Sequence, residues 1–338
     1  MSATTRRTSA RSCSSVRRCS NGTAVTLPRQ PTASGSTDSV PDNRVEPDTG
    51  HVVRCWPKLI DMGAEMVDYR VRAMTWNVWW RFGPRWRERQ PGILATIERF
   101  TPDVVALQEV WSAGETTQAD ELAEALGFHT SFAAPSYPAA PDPPVELDHA
   151  GVELGVALLS RWPIVQREVI PMPARHRAWD PVILKASVAH PAGSLPVLVA
   201  CLEHATTYSD DRLAQASVLA DLATDPATDG PCPSLAMGDL NAAADSAVLR
   251  PLRDVLIDAW HVGGGDPNAV TLPSTHPSAP LEAGPDLVDQ RIDHVFFRPG
   301  HEDQLVNVES AVIAGDAVDG VFPSDHKAVV VDLRWHAR

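Results

Sequence analysis

The stretch "PSDHKAVVVDL" occupies residues 323–333 and leads from a turn into a buried strand. Residues 328–331 are all apolar and include three valines, as is typical of a strand inside a sheet core. One residue, Lys327, separates this run from an acid and an imidazole, Asp325 and His326. Neighbouring side chains must point to opposite faces within a strand but not at a turn. The stretch therefore indicates either a turn with a chance histidine or a catalytic site at a strand end.

Other predicted strands also end in polar side chains that a core does not need. Each has an ordinary explanation on its own, such as a surface salt bridge for Glu109 or an Asx turn for "GDLN" at 238–241. Gathered over one sheet edge, they would form a ready-made site. These side chains are Asn77, Gln108, Glu109, His204, Asp239, Asn241 and Asp293.

From Arg70 onward, strands outnumber helices, and several strands follow one another directly. The predicted helices lie at 91–100, 118–128 and 209–223. The predicted strands lie at 70–78, 102–111, 152–165, 180–190, 195–204, 233–241, 290–297, 304–313 and 327–335. Pro91 is expected in the first turn of the first helix, and Gly127 at the end of the second. The pattern favours an α/β fold with antiparallel-rich sheets and outer helices over a doubly wound parallel sheet.

Residues 1–69 differ from the rest of the chain in composition. They begin with "MSATTRRTSARSCSSVRRCSNG", and no apolar segment typical of a secretory signal follows this basic start. We expect a disordered Arg/Ser/Pro-rich extension, or a start assigned too early with Met62, Met66 or Met74 as the true first residue. The folded domain is then expected at 70–338.

The charge of the expected domain limits its partners. The 338 residues carry 43 Asp/Glu and 29 Lys/Arg, and residues 71–338 alone carry 36 and 19, a formal charge of −17. Such a body is a poor generic binder of duplex DNA or RNA, because contacts between basic side chains and phosphate supply most non-specific affinity. It suits divalent cations and small substrates. No apolar run approaches the ~20 residues of a membrane span, so no membrane partner is expected.

The cysteines indicate a cellular compartment rather than a site. There are five, at 13, 19, 55, 201 and 232, and none has the spacing of a zinc site or a redox motif. Their odd number and scattered positions predict free thiols in a reducing compartment, hence a cytoplasmic protein.

Six stretches in this order resemble the endonuclease/exonuclease/phosphatase superfamily. They are "MTWNV" (74–78), "PDVVALQEVW" (102–111), "GVALLSRWPI" (155–164), "MGDLN" (237–241), "RIDHVFF" (291–297) and "PSDHKAVVVDL" (323–333). The resemblance implies a four-layer sandwich of two mostly antiparallel mixed β-sheets flanked by helices. It also implies hydrolysis of a phosphoester by in-line attack of water, with Mg²⁺ or Mn²⁺ as cofactor.

The resemblance further implies which residues bind metal and phosphate. Glu109 would be the principal metal ligand, since a carboxylate oxygen suits a hard cation. Asn77 would help to hold metal or phosphate, and Asp325 would be a second metal ligand. Asn241 would contact the phosphate oxygens.

The same resemblance assigns the proton transfers. Asp239 would orient or deprotonate the attacking water. His326 would stabilise charge on a non-bridging oxygen or transfer a proton, and Asp293 would orient it and favour its imidazolium form. His204 would protonate the leaving oxygen, although Leu202 and Glu203 before it break the family's Asn-Thr-His-like pattern.

The substrate stays open at this point. Trp79 stands where the branch of abasic-site endonucleases carries an acid, which argues against that activity. The aromatic and basic cluster at 79–89 could bind a base or a phosphate-bearing ring, with Arg81 as a substrate-binding candidate, or could simply pack on the core. The expected partner is a phosphoester, either a small molecule or nucleic acid, for a monomer without an obligate protein partner. The leading hypothesis is a metal-dependent phosphodiesterase or phosphatase; the alternatives are a nuclease and a non-catalytic binding module.

Overall fold

The computed structural model describes residues 67–279 and 287–337, in which thirteen strands and five α-helices lie. The strands are β1 (Val67–Asn77), β2 (Val104–Ala113), β3 (Thr116–Thr117), β4 (His129–Ala133), β5 (Val152–Ser160), β6 (Ile164–Pro171), β7 (Val182–His190), β8 (Gly193–Cys201), β9 (Ser234–Asp239), β10 (Ile257–Asp258), β11 (Asp293–Arg298), β12 (Val306–Ala314) and β13 (Ala328–Ala337). The helices are α1 (Trp86–Phe100), α2 (Gln118–Leu126), α3 (Ser209–Ala223), α4 (Arg250–Arg253) and α5 (Ala259–Val262).

The strands of the described residues form two mixed sheets. The larger, seven-stranded sheet has the order β12-β13-β1-β2-β5-β4, with β3 beside β2. The six-stranded sheet has the order β10-β11-β9-β8-β7-β6. Only the β1/β2 and β8/β9 pairs are parallel among these strands; the others are antiparallel. The predicted mostly antiparallel mixed sheets are confirmed.

The two sheets pack face to face around the main core. Val71 and Ala106 of the larger sheet and Val197 and Met237 of the smaller one belong to the same buried cluster. Each of the valine and methionine side chains contributes about 1.5–3 kcal/mol by leaving water. This apolar contact fixes the position of the two sheets relative to each other. It therefore also determines how their ends are placed.

Helices cover both outer faces. Ile93 and Ile97 of α1 pack on the outer face of the larger sheet, where they form one cluster with Leu122 of α2. Leu219 of α3 and Leu252 of α4 pack on the outer face of the smaller sheet. The four-layer arrangement is thus confirmed. No helix within the described ranges is long and apolar enough to cross a membrane.

Two predicted elements are wrong in their bounds. The strand predicted at 152–165 is two strands, because the chain leaves the larger sheet after Ser160 and enters the smaller one at Ile164. The helix predicted from residue 91 begins at Trp86, so Pro91 lies inside α1 rather than in its first turn. The break between the two strands is set by tertiary packing, since the local apolar pattern does not record which sheet a strand joins.

Other local predictions agree with the structure. The strands predicted at 180–190 and 195–204 pair antiparallel as β7 and β8. Gly127 ends α2 in the left-handed conformation, with φ of 67°. Cys201 and Cys232 are buried free thiols, while the other three cysteines lie outside the described residues. The extension predicted at 1–69 also lies outside them, except Val67–Tyr69, which begin β1.

Replacement of Leu219 by alanine tests the outer layer of the smaller sheet. Leu219 is fully buried, so Leu219→Ala removes apolar contacts and leaves a cavity. We expect a loss of about 2–5 kcal/mol in the free energy of unfolding, measured by urea denaturation. Leu213 on the same helix is 42% exposed, and Leu213→Ala serves as the control, with an expected change within about 0.5 kcal/mol. Equal losses in both variants would contradict the assigned packing of α3.

Candidate active site

Polar ends of strands from both sheets meet at one end of the sandwich. Asn77 ends β1 in the larger sheet, and its Nδ2 donates hydrogen bonds to Glu109 Oε1 at 2.8 Å and to Asp239 Oδ2 at 3.1 Å. Asp239 ends β9 in the smaller sheet. A single buried amide therefore links the carboxylates of the two sheets.

An irregularity in β2 directs Glu109 to this point. The pairing with β5 shifts between Leu107 and Val110, so β2 contains one extra residue. Glu109 lies in this bulge with φ of 54°, a conformation that non-glycine residues seldom adopt. Its side chain is buried, and Oε2 has no hydrogen-bond partner among the described residues. One carboxylate oxygen is thus held by Asn77, and the other is available to a ligand.

His326 makes one hydrogen-bond contact with a carboxylate and lies near a second carboxylate. Its Nδ1 lies 2.9 Å from Asp293 Oδ2, and its Nε2 lies 3.9 Å from Asp239 Oδ2. The hydroxyl of Ser324 donates to the backbone carbonyl of Asn77 at 2.7 Å and accepts from the His326 amide at 3.1 Å, which fixes the turn before β13. Asp293 begins β11 and pairs with Asp239 across the sheet.

Burial and mutual repulsion alter the ionisation of these groups. Burial raises the pKa of Glu109 to about 8, with a further contribution from the Asp325 carboxylate. Burial also raises the pKa of Asp239 to about 7, helped by Asp293, and raises the pKa of Asp325. Crowded, buried carboxylates of this kind favour a bound cation, because its charge offsets their repulsion.

The donor set fits a hard divalent cation. Glu109 and Asp325 offer carboxylate oxygens, Glu109 Oε2 is without a partner in the described part of the chain, and Asn77 lies beside them. Ligand atoms of Asp239, Asp293 and His326 also lie within 4.8 Å of one another. Oxygen donors with unsatisfied charge are what Mg²⁺ and Mn²⁺ prefer.

Asn241 and His204 complete the polar floor of a cavity of about 740 Å³. The Asn241 backbone N–H donates to Asp239 Oδ1 at 3.0 Å, and its side-chain Nδ2 donates to the Leu202 carbonyl at 2.9 Å. The side chain of His204 is 41% exposed, and its Nδ1 lies 3.4 Å from Glu203 Oε1. Glu109, Asp239, Asp325 and His326 line the same cavity.

Comparison with known proteins identifies the family. A sequence model of the Endonuclease/Exonuclease/phosphatase family matches residues 74–326, which is most of the chain. The chain belongs to this family. The match confirms the resemblance drawn from the six sequence stretches, and with it the prediction of a phosphoric ester hydrolase of this family.

The individual proteins to which this chain is similar have sequence identities of 19–26% with it. Tyrosyl-DNA phosphodiesterase 2 (TDP2) of Xenopus tropicalis is 25% identical over 270 residues, or 77% of this chain, and this chain spans 65% of the length of that relative. An endonuclease/exonuclease/phosphatase from Beutenbergia cavernae is 26% identical, with a TM-score of 0.60 over 78% of this chain and 71% of that chain. The crystal structure of D. rerio TDP2 complexed with single strand DNA product is 19% identical, with a TM-score of 0.61 over 78% of this chain and 98% of that chain, a likeness in fold alone.

Arg81, a predicted substrate-binding residue, does not join the others. Its guanidinium lies 4.4 Å from the ring centre of Trp86 and 4.7 Å from that of Trp111. It donates to the backbone carbonyl of Asp148 at 2.5 Å and is 9% exposed. It is not among the described residues that line the cavity. The structure thus places Arg81 in a packed aromatic cluster beside the site.

Arg89 is a supporting residue that the sequence did not single out. It is 2% exposed, and its guanidinium donates to five backbone carbonyls, those of Val78, Trp79, Trp80, Phe82 and Pro323. It thereby ties the loop after β1 to the turn that carries Asp325 and His326. The signal was present in its spacing, because Arg89, Ile93 and Ile97 follow each other at four-residue intervals on the buried face of α1.

Replacement of Arg89 by methionine should destabilise the protein. Arg89→Met leaves buried carbonyl groups without donors, and we expect a loss of about 3 kcal/mol or more in the free energy of unfolding. Arg87 is the matched control, because its side chain is 67% exposed and pairs only with Asp148 among the described ion pairs. Arg87→Met should cost at most about 1 kcal/mol. Urea denaturation of both variants measures the difference, and a stable Arg89→Met protein would contradict the role of this arginine.

The charge state of His326 should depend on Asp293. Burial alone would lower the pKa of His326, but the carboxylates of Asp293 and Asp239 raise it well above its usual value. Asp293→Asn removes one negative charge and the hydrogen bond to Nδ1, so His326 should lose its proton at a lower pH. NMR titration of the imidazole in metal-free protein measures this pKa. An unchanged titration in Asp293→Asn, with Asp289→Asn at an exposed position as the control, would contradict the assigned contact.

Proposed function

We propose that this chain is a divalent-metal-dependent phosphodiesterase that cleaves a phosphoester bond by in-line attack of water. The observation that carries the proposal is the arrangement around one cavity. A carboxylate with an available oxygen, Glu109, lies on one side, and the His326–Asp293 pair lies on the other. A cation site and a cationic imidazole can therefore act on the same phosphate from two directions.

Glu109, Asp325 and Asn77 would hold Mg²⁺ or Mn²⁺. When bound there, the cation would withdraw charge from the phosphate oxygens. The carboxylates of Glu109 and Asp325 are buried, so in the absence of positive charge they compete for protons, as their raised pKa values indicate. Asn77 Nδ2 keeps one oxygen of Glu109 in place at 2.8 Å, which leaves the second oxygen directed away from the amide.

Asp239 is the proposed general base. Its two oxygens are held separately, Oδ1 by the Asn241 backbone N–H at 3.0 Å and Oδ2 by Asn77 Nδ2 at 3.1 Å. This fixes the plane of the carboxylate relative to a water molecule in the cavity. Burial and Asp293 raise the pKa of Asp239 to about 7, close to the value at which a base works best near neutral pH.

Three further residues have proposed roles at the phosphate and the leaving group. His326, kept as imidazolium by Asp293, would donate Nε2–H to a non-bridging oxygen and stabilise the charge that develops there. Asn241 would contact a second phosphate oxygen from the cavity floor. His204, half-exposed at the cavity floor, would deliver a proton to the leaving oxygen.

A nuclease or DNA-end phosphodiesterase is the second candidate. The likeness to tyrosyl-DNA phosphodiesterase 2 favours it, and the formal charge of −17 on residues 71–338 counts against tight binding to long nucleic acids. A non-catalytic binding module is a weaker candidate, since Glu109, Asp239, Asp325 and both histidines with proposed roles line the cavity, and Asp293 contacts one of these histidines. The cytoplasmic location and the monomeric state stay predictions from the sequence.

Substitution of Asp239 and His326 tests the proposal. Asp239→Asn and His326→Ala should each lower the turnover of bis(4-nitrophenyl) phosphate by ~10²-fold or more, as expected for loss of a general base or of charge stabilisation. EDTA should abolish turnover, and added Mg²⁺ or Mn²⁺ should restore it.

Asp245→Asn is the matched control, because Asp245 lies on the same loop but is exposed. It should keep wild-type turnover, and circular dichroism should show that all three variants are folded. Near-normal turnover in both Asp239→Asn and His326→Ala would refute the site assignment.

A further inference from the structure

Above its polar floor, the cavity has an apolar wall. Trp79, Phe82 and Pro138 contribute to this wall on one side, and Leu272 and Leu287 also line the cavity. The charged groups, the histidines and Asn241 are those already assigned to cation binding and catalysis, and the remaining polar side chains of the lining, Thr206 and Thr207, are neutral. A substrate whose phosphate reaches the floor therefore places its remaining atoms against neutral side chains, most of them aromatic or aliphatic.

The indole of Trp79 is rigidly positioned in this wall. The Trp79 backbone N–H donates to Asn77 Oδ1 at 2.9 Å, and the residue has φ of 60°. The guanidinium of Arg89 lies 4.5 Å from the ring centre, and His276 contacts the ring edge-on. Gly83 makes room for it, because a Cβ there would lie 2.1 Å from the indole. An aromatic surface fixed before binding loses little entropy when a flat group packs on it.

Positive charge near this cavity is already engaged by the protein. Neither Lys nor Arg lines the cavity among the described residues. Arg177 makes two hydrogen bonds to the buried carboxylate of Glu203, at 2.9 and 2.5 Å. Arg212 donates to the backbone carbonyls of Glu203 and Ala205. Arg89 donates to five carbonyls, as described above.

We propose that the substrate is a phosphodiester with a single phosphate, at the scissile bond, and a flat aromatic group on the ester oxygen that stays bound to phosphorus, and that this group packs against Trp79. This proposal rests on the proposed function and specifies its substrate class. A second phosphate on the substrate would find neutral side chains and no Lys or Arg in the described lining, within a domain of formal charge −17, and binding would be weakened. Hydrolysis adds water across the P–O bond: the hydroxyl stays on phosphorus, and the other proton goes to the leaving oxygen.

The first experiment compares two diesters with the same leaving group, phenyl 4-nitrophenyl phosphate and methyl 4-nitrophenyl phosphate. The wild-type enzyme should prefer the phenyl ester in kcat/KM by ~10-fold or more, mainly through KM, as expected for stacking on an aromatic side chain. Trp79→Ala should lose most of this preference, and Trp79→Phe should keep most of it. The comparison between variants cancels the difference in intrinsic reactivity of the two esters.

The second experiment measures the effect of an additional phosphate. The substrates are the 4-nitrophenyl ester of thymidine 5′-phosphate and the same ester with a 3′-phosphate. The kcat/KM of the wild-type enzyme for the second ester should be lower than that for the first by a factor of ~10 or more. Thr206 is exposed and lines the cavity, so Thr206→Lys should reduce this difference, whereas the neutral control Thr206→Gln should not.

The outcomes separate this proposal from the proposed function. Metal-dependent hydrolysis with equal kcat/KM for the phenyl and methyl esters, in wild type and Trp79→Ala alike, would overturn the substrate class and leave the phosphodiesterase activity standing. Faster hydrolysis of the 3′-phosphorylated ester would also overturn it. No metal-dependent hydrolysis of any of the four esters would refute the proposed function itself.

Discussion

The site depends on the hydrogen bonds of one buried side chain, Asn77. Its amide nitrogen donates to Glu109 in its own sheet and to Asp239 in the other, while its carbonyl oxygen accepts from the Trp79 backbone. These three contacts use both ends of the amide, so its orientation is fixed. In a low-dielectric interior such a fully used polar group is worth far more than the same group in water. The acids, the base and the aromatic wall are therefore positioned by a common element rather than one by one.

The sequence predicted the polar floor well because the relevant signals are local. Asn77 and Asp239 each stand at the end of an apolar run, whereas Asp293 and His326 stand shortly before one. The type of element and the direction of the chain therefore place all four at strand ends. The order of the six stretches then indicated that these ends come together. The topology explains why: β1 and β13 are antiparallel neighbours, as are β9 and β11, so the end of one strand lies beside the start of the next.

What the sequence did not predict depends on contacts between distant segments. Arg81 and Arg89 have similar aromatic and basic neighbours in the sequence. In the structure, however, Arg81 packs against two indoles beside the site, and Arg89 is buried under the loop after β1. The passage of the chain from one sheet to the other between Ser160 and Ile164 is likewise invisible in a continuous apolar pattern. Both outcomes depend on which distant segments pack against a residue. The residues next to it in the sequence do not contain this information.

The bulge in β2 sets a limit on how regular this sandwich can be. Glu109 reaches the cavity only because one extra residue interrupts the ladder to β5 and turns the backbone to a positive φ. Without that residue β2 would be an uninterrupted strand with the hydrogen bonds and φ values that sheets prefer. The acid would then follow the ordinary alternation of side chains across the sheet. Evolution or design toward an ideal sheet here would gain regularity and lose this carboxylate from the cavity, so the irregular residue is the one that a stability-guided redesign of this fold should leave untouched.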